Sequence, residues 1–386
     1  TVVNGPLWCY FYAMKYVDNE NPMASMRFSC TQVGPNSLVY GTEDDLRKGL
    51  SSIETYAKPL RVFVENNCSV SLVGDDVQGI ADQMDLPWPV YAMDSGGMKG
   101  SFEAGYSAAS LRIEKEMKKK EKIPASVNVL GLSTVHMKGR EDAEEIRRLL
   151  SLCGIRVTSM PGGGSNWDDI MDAPSASLNI VVRDELGLSL AKQMEQDFGT
   201  PYMSCGLPYG TDGTMAWLSE IIEKLGAGEL TRASHEAAKL KEFLLRKGNN
   251  LESLWGPLWF DAVLISAPPS EALGIAEAIR SEWIDTARLC IHAQCETKKS
   301  TPAADAIRVV MKNEKEIAKD YEDWQGGLVL SSSHETHLFR RMGRSFTGFH
   351  IALPSHDEVH FSDLPQCGLR GAGYLYEQLW NAKLRK

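Results

Sequence analysis

Two cysteines near the start of the chain sit inside backbone turns, and they are the residues best placed for chemistry. Cys9 closes the run Asn4-Gly5-Pro6-Leu7-Trp8-Cys9. Gly5-Pro6 turns the chain sharply and sets the thiol at a helix start, where the N-terminal dipole favours an anionic sulfur. Cys68 follows the apolar stretch Arg61-Val62-Phe63-Val64 and is expected to open a loop ending in Gly74-Asp75-Asp76. Asp75 and Asp76 are expected to cap a helix over residues 77–84. A thiolate at a strand end, on a loop with glycines, can reach an inorganic cluster, whereas a thiol inside a core strand cannot. Iron–sulfur ligation by Cys9 and Cys68 is therefore the expected chemistry. Each cysteine taken alone also reads as a structural thiol, a common fate of free cysteine.

Other segments carry weaker signals. Ser95-Gly96-Gly97-Met98-Lys99-Gly100-Ser101 precedes a helical stretch and offers backbone N–H groups to a phosphate or an anionic cluster. It matches neither GxxxxGK[ST] nor GxGxxG, so the chain shows no ATP site of its own. The histidines concentrate late, at His334, His337, His350, His356 and His360. His356 and His360 have helical metal spacing with Cys367 nearby, which gives a zinc reading that lacks a clear further ligand.

The elements that must position these residues read as α/β. Unalternating, β-branched runs at 62–64, 127–130, 178–182, 262–265 and 327–330 have the pattern of strands buried on both faces. Amphipathic helices fall between them at 141–152, 186–198 and 270–283. Strand alternating with helix predicts parallel sheets flanked by helices. A Lys-rich, solvated run at 114–122 and Gly226-Ala227-Gly228 mark joints. They divide the 386 residues into three Rossmann-like domains: 1–124, which binds the cluster, 125–228 and 229–386.

Composition bounds the function. The net charge of −10 argues against a nucleic-acid partner. The apolar runs are too short for a membrane span. Eight scattered cysteines, with no secretory pattern, predict a reducing, cytoplasmic setting in which thiols are available to metal. The chain begins at Thr1 almost inside its first motif, so further residues are expected ahead of it.

The ordered set of motifs resembles the nitrogenase component 1 superfamily, its β-type subunit more than its α-type. The family's His-Gly-Pro/Ser-x-x-Cys turn is matched by Asn4 through Cys9, with Asn4 in place of the histidine. Its "vFGg" element before a helix is matched by Leu38-Val39-Tyr40-Gly41-Thr42-Glu43-Asp44-Asp45-Leu46, and its "Cys…IGDD" element by Cys68 through Asp76. Its Phe-x-Gly-Ser segment is matched by Met98-Lys99-Gly100-Ser101. Pro161-Gly162-Gly163, Phe198-Gly199-Thr200-Pro201, Ser332-Ser333-His334 and Cys367-Gly368-Leu369-Arg370-Gly371-Ala372 extend the likeness through nearly the whole chain.

The resemblance implies a β-type subunit of a nitrogenase-like oxidoreductase. Cys9 and Cys68 would hold an iron–sulfur cluster, [8Fe-7S] P-cluster-like or [4Fe-4S], shared with a partner subunit. Gly5, Gly100 and Ser101 would lie beside it. The family's first cluster cysteine lies ahead of that turn, where the given sequence has no residues, so that ligand is expected either ahead of Thr1 or not at all. The α-type cofactor cysteine would fall near Val181 to Arg183, where there is none, and His350 is a weak match for the cofactor histidine. No catalytic residue is therefore expected in this chain. The implied partners are an α-type subunit, in an α2β2 heterotetramer that carries the metallocofactor, and an ATP-hydrolysing Fe protein homodimer. Methylthio-alkane reduction is the preferred activity. A tetrapyrrole reductase subunit and a nitrogenase-cofactor maturation scaffold are the alternatives.

Overall fold

The computed structural model of the chain describes residues 1–20, 24–309, 318–319, 321–322, 324 and 326–385. They form two compact units, Thr1–Arg112 and Ile113–Lys386.

The first unit runs β1 (Val2–Asn4), α1 (Leu7–Glu20), β2 (Ser29–Cys30), α2 (Ser37–Tyr40), α3 (Glu43–Tyr56), β3 (Val62–Asn66), α4 (Cys68–Val73), α5 (Val77–Asp82), β4 (Val90–Met93) and the start of α6 (Phe102–Glu114). The sheet order is β2-β1-β3-β4, and every neighbouring pair is parallel. Parallel strands put all their carboxyl ends on one edge, where connecting loops can converge on a ligand.

Val2, Val62, Val64 and Val90 pack with Leu46 and Leu50 of α3 and with Val77 and Ile80 of α5. Leu46 and Leu50 lie one helical turn apart and both are fully buried. Such burial contributes about 1.5–3 kcal/mol per side chain. Glu43, Asp44 and Asp45 in the first turn of α3 suit its positive end. Asp76 caps α5 by accepting from the Gly79 N–H at 2.9 Å. Asp75 instead braces the start of α3, where one of its oxygens accepts from the Thr42 N–H at 2.6 Å and from the Thr42 hydroxyl at 2.8 Å.

Cys68 does not open a loop. It begins helix α4, because Asn67 caps that helix and Gly74, at φ 81°, ends it in the left-handed conformation. The two caps override the strand-like composition of Val70-Ser71-Leu72-Val73.

The second unit holds two further parallel sheets. The first has order β6-β5-β7-β8, built from β5 (Ile123–Leu130), β6 (Arg156–Ser159), β7 (Ala176–Val181) and β8 (Tyr202–Ser204). The second has order β11-β10-β9-β12-β13, built from β9 (Trp259–Ala267), β10 (Asp285–Ala293), β11 (Ala306–Val309), β12 (Leu328–Ser331) and β13 (Thr347–His350). Helices α7 (Gly139–Leu152), α8 (Trp167–Asp172), α9 (Asp184–Phe198), α10 (Thr211–Leu225), α11 (Thr231–Trp255), α12 (Pro269–Ala278), α13 (Ser333–Arg341) and α14 (Gly368–Leu384) flank them. The buried runs at 127–130, 178–182, 262–265 and 327–330 fall on β5, β7, β9 and β12. The stretch 270–283 is α-helical only to Ala278 and ends in a π turn, Ile279–Trp283.

Val127, Ile146, Ile180, Val263, Ile291 and Leu375 belong to one continuous core that spans both sheets. Within it, fully buried Arg183 donates from Nε and Nη2 to one Glu271 oxygen at 2.8 and 2.6 Å. The run 114–122 is not solvated at its start: Glu114 is buried. Burial, with the Asp197 carboxylate beside it, pushes the Glu114 carboxyl up to about 7. Among the described residues no helix is long and apolar enough to cross a membrane.

Candidate functional site

The carboxyl edge of the first unit's sheet gathers three cysteines and a glycine loop. After β1, Gly5-Pro6 leads into α1, whose first turn carries Cys9; its N–H bonds back to the Pro6 carbonyl at 3.1 Å. After β3, Asn67 caps α4 by accepting from the Val70 N–H at 3.0 Å, and Cys68 is the first residue of that helix. The Asn67 side-chain amide also donates to Cys9 Sγ at 3.4 Å. One residue therefore ties the turn that carries Cys68 to the sulfur of Cys9. After β4, the glycine loop returns to the same edge, where the Gly97 N–H donates to Cys68 Sγ at 3.2 Å. Both thiols are exposed.

A network of amides and hydroxyls beneath the cysteines fixes the loops. Buried Asn4 donates to the Asn66 side chain at 3.1 Å and accepts from the Thr31 hydroxyl at 2.9 Å. Thr31 Oγ1 in turn accepts from the Gly5 N–H at 3.0 Å. Cys30, at the end of β2, donates to the Gly5 carbonyl at 3.2 Å and accepts from the Gln32 N–H at 3.4 Å. Partial burial pushes its thiol up, and nearby Cys9 adds to this. From sequence Cys30 reads either as an extra ligand or as a packed thiol, whereas Thr31, Asn66 and Asn67 are not among the sequence candidates. Asn67 had a readable trace, an asparagine just ahead of a short apolar stretch that a glycine ends.

Close approach explains two of the glycines. A Cβ on Gly5 would lie 2.5 Å from Asn67 Cγ, and one on Gly97 would lie 3.3 Å from Cys68 Sγ. Gly100 is exposed, and a Cβ there would meet the Ala104 Cβ at 2.8 Å. Ser101 precedes α6, and its hydroxyl accepts from the Ala104 N–H at 3.4 Å, so it serves the helix start. Gly100 and Ser101 line a cleft of about 620 Å3 with Gly97, Glu65, Asp94, Lys99 and Arg112.

Two exposed sulfurs, each already accepting an N–H hydrogen bond, with glycines keeping side chains away, make a donor set that fits an iron–sulfur cluster. The later segments give a different result from the zinc reading. Residues 351–366 are not helical, so the His356/His360 spacing does not place the two on one helix face. His356 is exposed, and buried Cys367 lies at the start of α14 with its N–H bonded to Asp142 at 2.9 Å. His350, Glu358 and His360 converge instead, with one donor atom from each lying within 4.8 Å of the others.

Known proteins resemble the chain along its length. The profile of the family described as "Nitrogenase component 1 type Oxidoreductase" matches residues 1–384. The chain is 30% identical over 260 residues to the nitrogenase iron-molybdenum cofactor biosynthesis protein NifE of Clostridium pasteurianum. That alignment covers 65% of this chain and 54% of the relative, so the chain spans about half the relative's length. It is 24% identical over 408 residues to a light-independent protochlorophyllide reductase subunit of Prosthecochloris aestuarii, covering 99% of this chain and 74% of that one. Among solved structures, "Nitrogenase Cp1 at pH 6.5" shares the fold with a TM-score of 0.76 at 16% identity, covering 100% of this chain and 88% of the other.

Proposed function

The chain belongs to the nitrogenase component 1 type oxidoreductase family, and on that premise we propose that it is a β-type subunit that co-ligates an interfacial iron–sulfur cluster through Cys9 and Cys68. The observation that carries this reading is Asn67: it caps the helix that Cys68 begins and donates to the sulfur of Cys9. The cluster, [8Fe-7S] P-cluster-like or [4Fe-4S], would supply one-electron storage at low potential.

The chain's own residues account for the rest. The Cys9 and Cys68 thiolates hold iron. The Gly97 N–H and the Asn67 amide point positive dipoles at those sulfurs, which favours the more negative, reduced state. Gly5 and Gly97 keep space free where a Cβ would crowd Asn67 or Cys68. Gly100 and Ser101 shape the neighbouring loop.

In this reading the chain pairs with an α-type subunit in a cytoplasmic α2β2 heterotetramer. An ATP-hydrolysing Fe protein homodimer would supply the electrons, and the cluster that Cys9 and Cys68 would hold would serve as their relay toward a metallocofactor in the α-type partner. The domain division 1–124, 125–228 and 229–386, with one parallel sheet in each, belongs to the same proposal. Methylthio-alkane reduction is the activity we assign first. A tetrapyrrole reductase subunit is the second reading, favoured by the similarity to the protochlorophyllide reductase chain across 99% of this one. The 30% identity to NifE favours a maturation scaffold as the third.

Anaerobic co-expression with the α-type partner tests the proposal. A brown complex containing iron and acid-labile sulfide is expected, and it reduces substrate when Fe protein and ATP are added. A colourless, iron-free protein overturns the cluster assignment. Cluster transfer to an acceptor without turnover selects the scaffold reading.

A further inference from the structure

We propose that His350, Glu358 and His360 form a mononuclear site for a divalent transition-metal cation, Zn2+ or Fe2+. The site lies in the second unit, is built from different donors than the cysteines, and does not depend on the proposed cluster.

Convergence is the first argument. His350 is the last residue of β13, at the carboxyl edge of its parallel sheet. The non-helical segment that follows brings Glu358 and His360 back to it. One donor atom from each of the three lies within 4.8 Å of the others, and His350 Nδ1 and His360 Nε2 both stand 3.9 Å from Glu358 Oε2. Metal–nitrogen and metal–oxygen bonds of about 2.0–2.2 Å require donors somewhat closer than this. The segment 351–360, which is neither helix nor strand, supplies that contraction without moving the sheet.

Preorganisation is the second. His350 is buried, and its far nitrogen, Nε2, meets the Thr336 hydroxyl and Asp357 Oδ1, each at 3.3 Å. An outer carboxylate and hydroxyl on one imidazole nitrogen orient the ring and leave the other nitrogen to bind metal. Arg340 pairs with Asp357, so Asp357 holds the ring while Glu358 offers charge to the ion. The His350 backbone N–H fixes Glu358 Oε2 at 3.0 Å. Ser355 Oγ lies 2.7 Å from His350 Nδ1 and 3.1 Å from His360 Nε2, so both ring nitrogens face one hydroxyl, which an ion bound there would displace.

The donor set defines the ion. Two imidazoles and a carboxylate, with no thiolate, select Zn2+, Fe2+ or Co2+ over cuprous ion. Three protein ligands leave a coordination position open, as in sites that bind substrate or water.

The test uses the intact complex, stripped with a chelator and titrated anaerobically with Co2+, and read by cobalt K-edge X-ray absorption. That edge is independent of any iron present. The expected result is saturation at one equivalent per copy of this chain with a nitrogen/oxygen shell. His360→Ala and the isosteric Glu358→Gln each weaken binding on the order of a hundredfold, and Thr336→Val weakens it about tenfold through ring orientation. Glu358→Gln decides the matter if His360→Ala does not fold. Absence of cobalt uptake, a sulfur-containing shell, or affinity unchanged in folded Glu358→Gln overturns the proposal.

Discussion

Asn67 joins the two halves of the proposed cluster site: its side-chain amide donates to Cys9 Sγ at 3.4 Å while its side-chain oxygen caps the helix that Cys68 begins. Cap and donor can be separated by mutation. Asn67→Asp keeps the cap, since Asp and Asn cap equally well, but removes the N–H and puts a carboxylate beside the sulfur. The expected outcome is near-unchanged thermal stability with a reduction potential shifted negative in a redox titration. Asn67→Ala loses the cap as well and costs about 1 kcal/mol in denaturant unfolding. An unchanged potential in Asn67→Asp removes the donor role.

Gly5 tests the close approach of the two turns. Its Cβ would lie 2.5 Å from Asn67 Cγ, so Gly5→Ala must displace that side chain. A destabilisation of about 1–3 kcal/mol is expected from overpacking, together with lower iron content. Urea melts and iron analysis read both.

Glu114 gives the second unit a pH dependence. Its carboxyl, raised to about 7 from the ordinary 4.5 by burial and by Asp197, binds its proton more tightly when folded. The stabilisation is complete below about 4.5 and is lost as pH rises through about 7. The melting temperature of the second unit is therefore expected to fall between mildly acidic and mildly alkaline buffer. Glu114→Gln flattens that fall. An identical slope in the variant rules out Glu114 as its source.

The buried pair Arg183–Glu271 holds the second unit's core by mutual need. Glu271→Ala leaves the fully buried guanidinium with only the more distant Asp142 carboxylate, 4.0 Å away, and a loss toward the lower end of about 3–5 kcal/mol is expected. Double replacement by apolar residues of similar volume recovers much of it. Chemical denaturation of the single and double variants measures both.

Legibility in the sequence followed burial. The strands β5, β7, β9 and β12 were readable because parallel strands covered on both faces leave unbroken β-branched runs. β1, β2 and β4 are two to four residues long and too short to show a period. β10 begins with the exposed residues Asp285, Ala287 and Arg288, which hide its buried end. Cys9 and Cys68 stood out because turns flank them. Asn67 did not, because its meaning lies in a partner 58 positions away. Spacing also misled at His356 and His360, since i,i+4 matters only on a helix. His350, Glu358 and His360 meet through a loop whose path no periodicity records.

Iron and sulfide analysis of the anaerobically isolated complex carrying Cys68→Ala, with Cys9→Ala in parallel, addresses the central claim most directly. Each variant is expected to fold and keep its partner while losing the shared cluster's iron and its spectrum. Wild-type iron and an unaltered cluster spectrum in folded Cys68→Ala would contradict ligation by these two sulfurs.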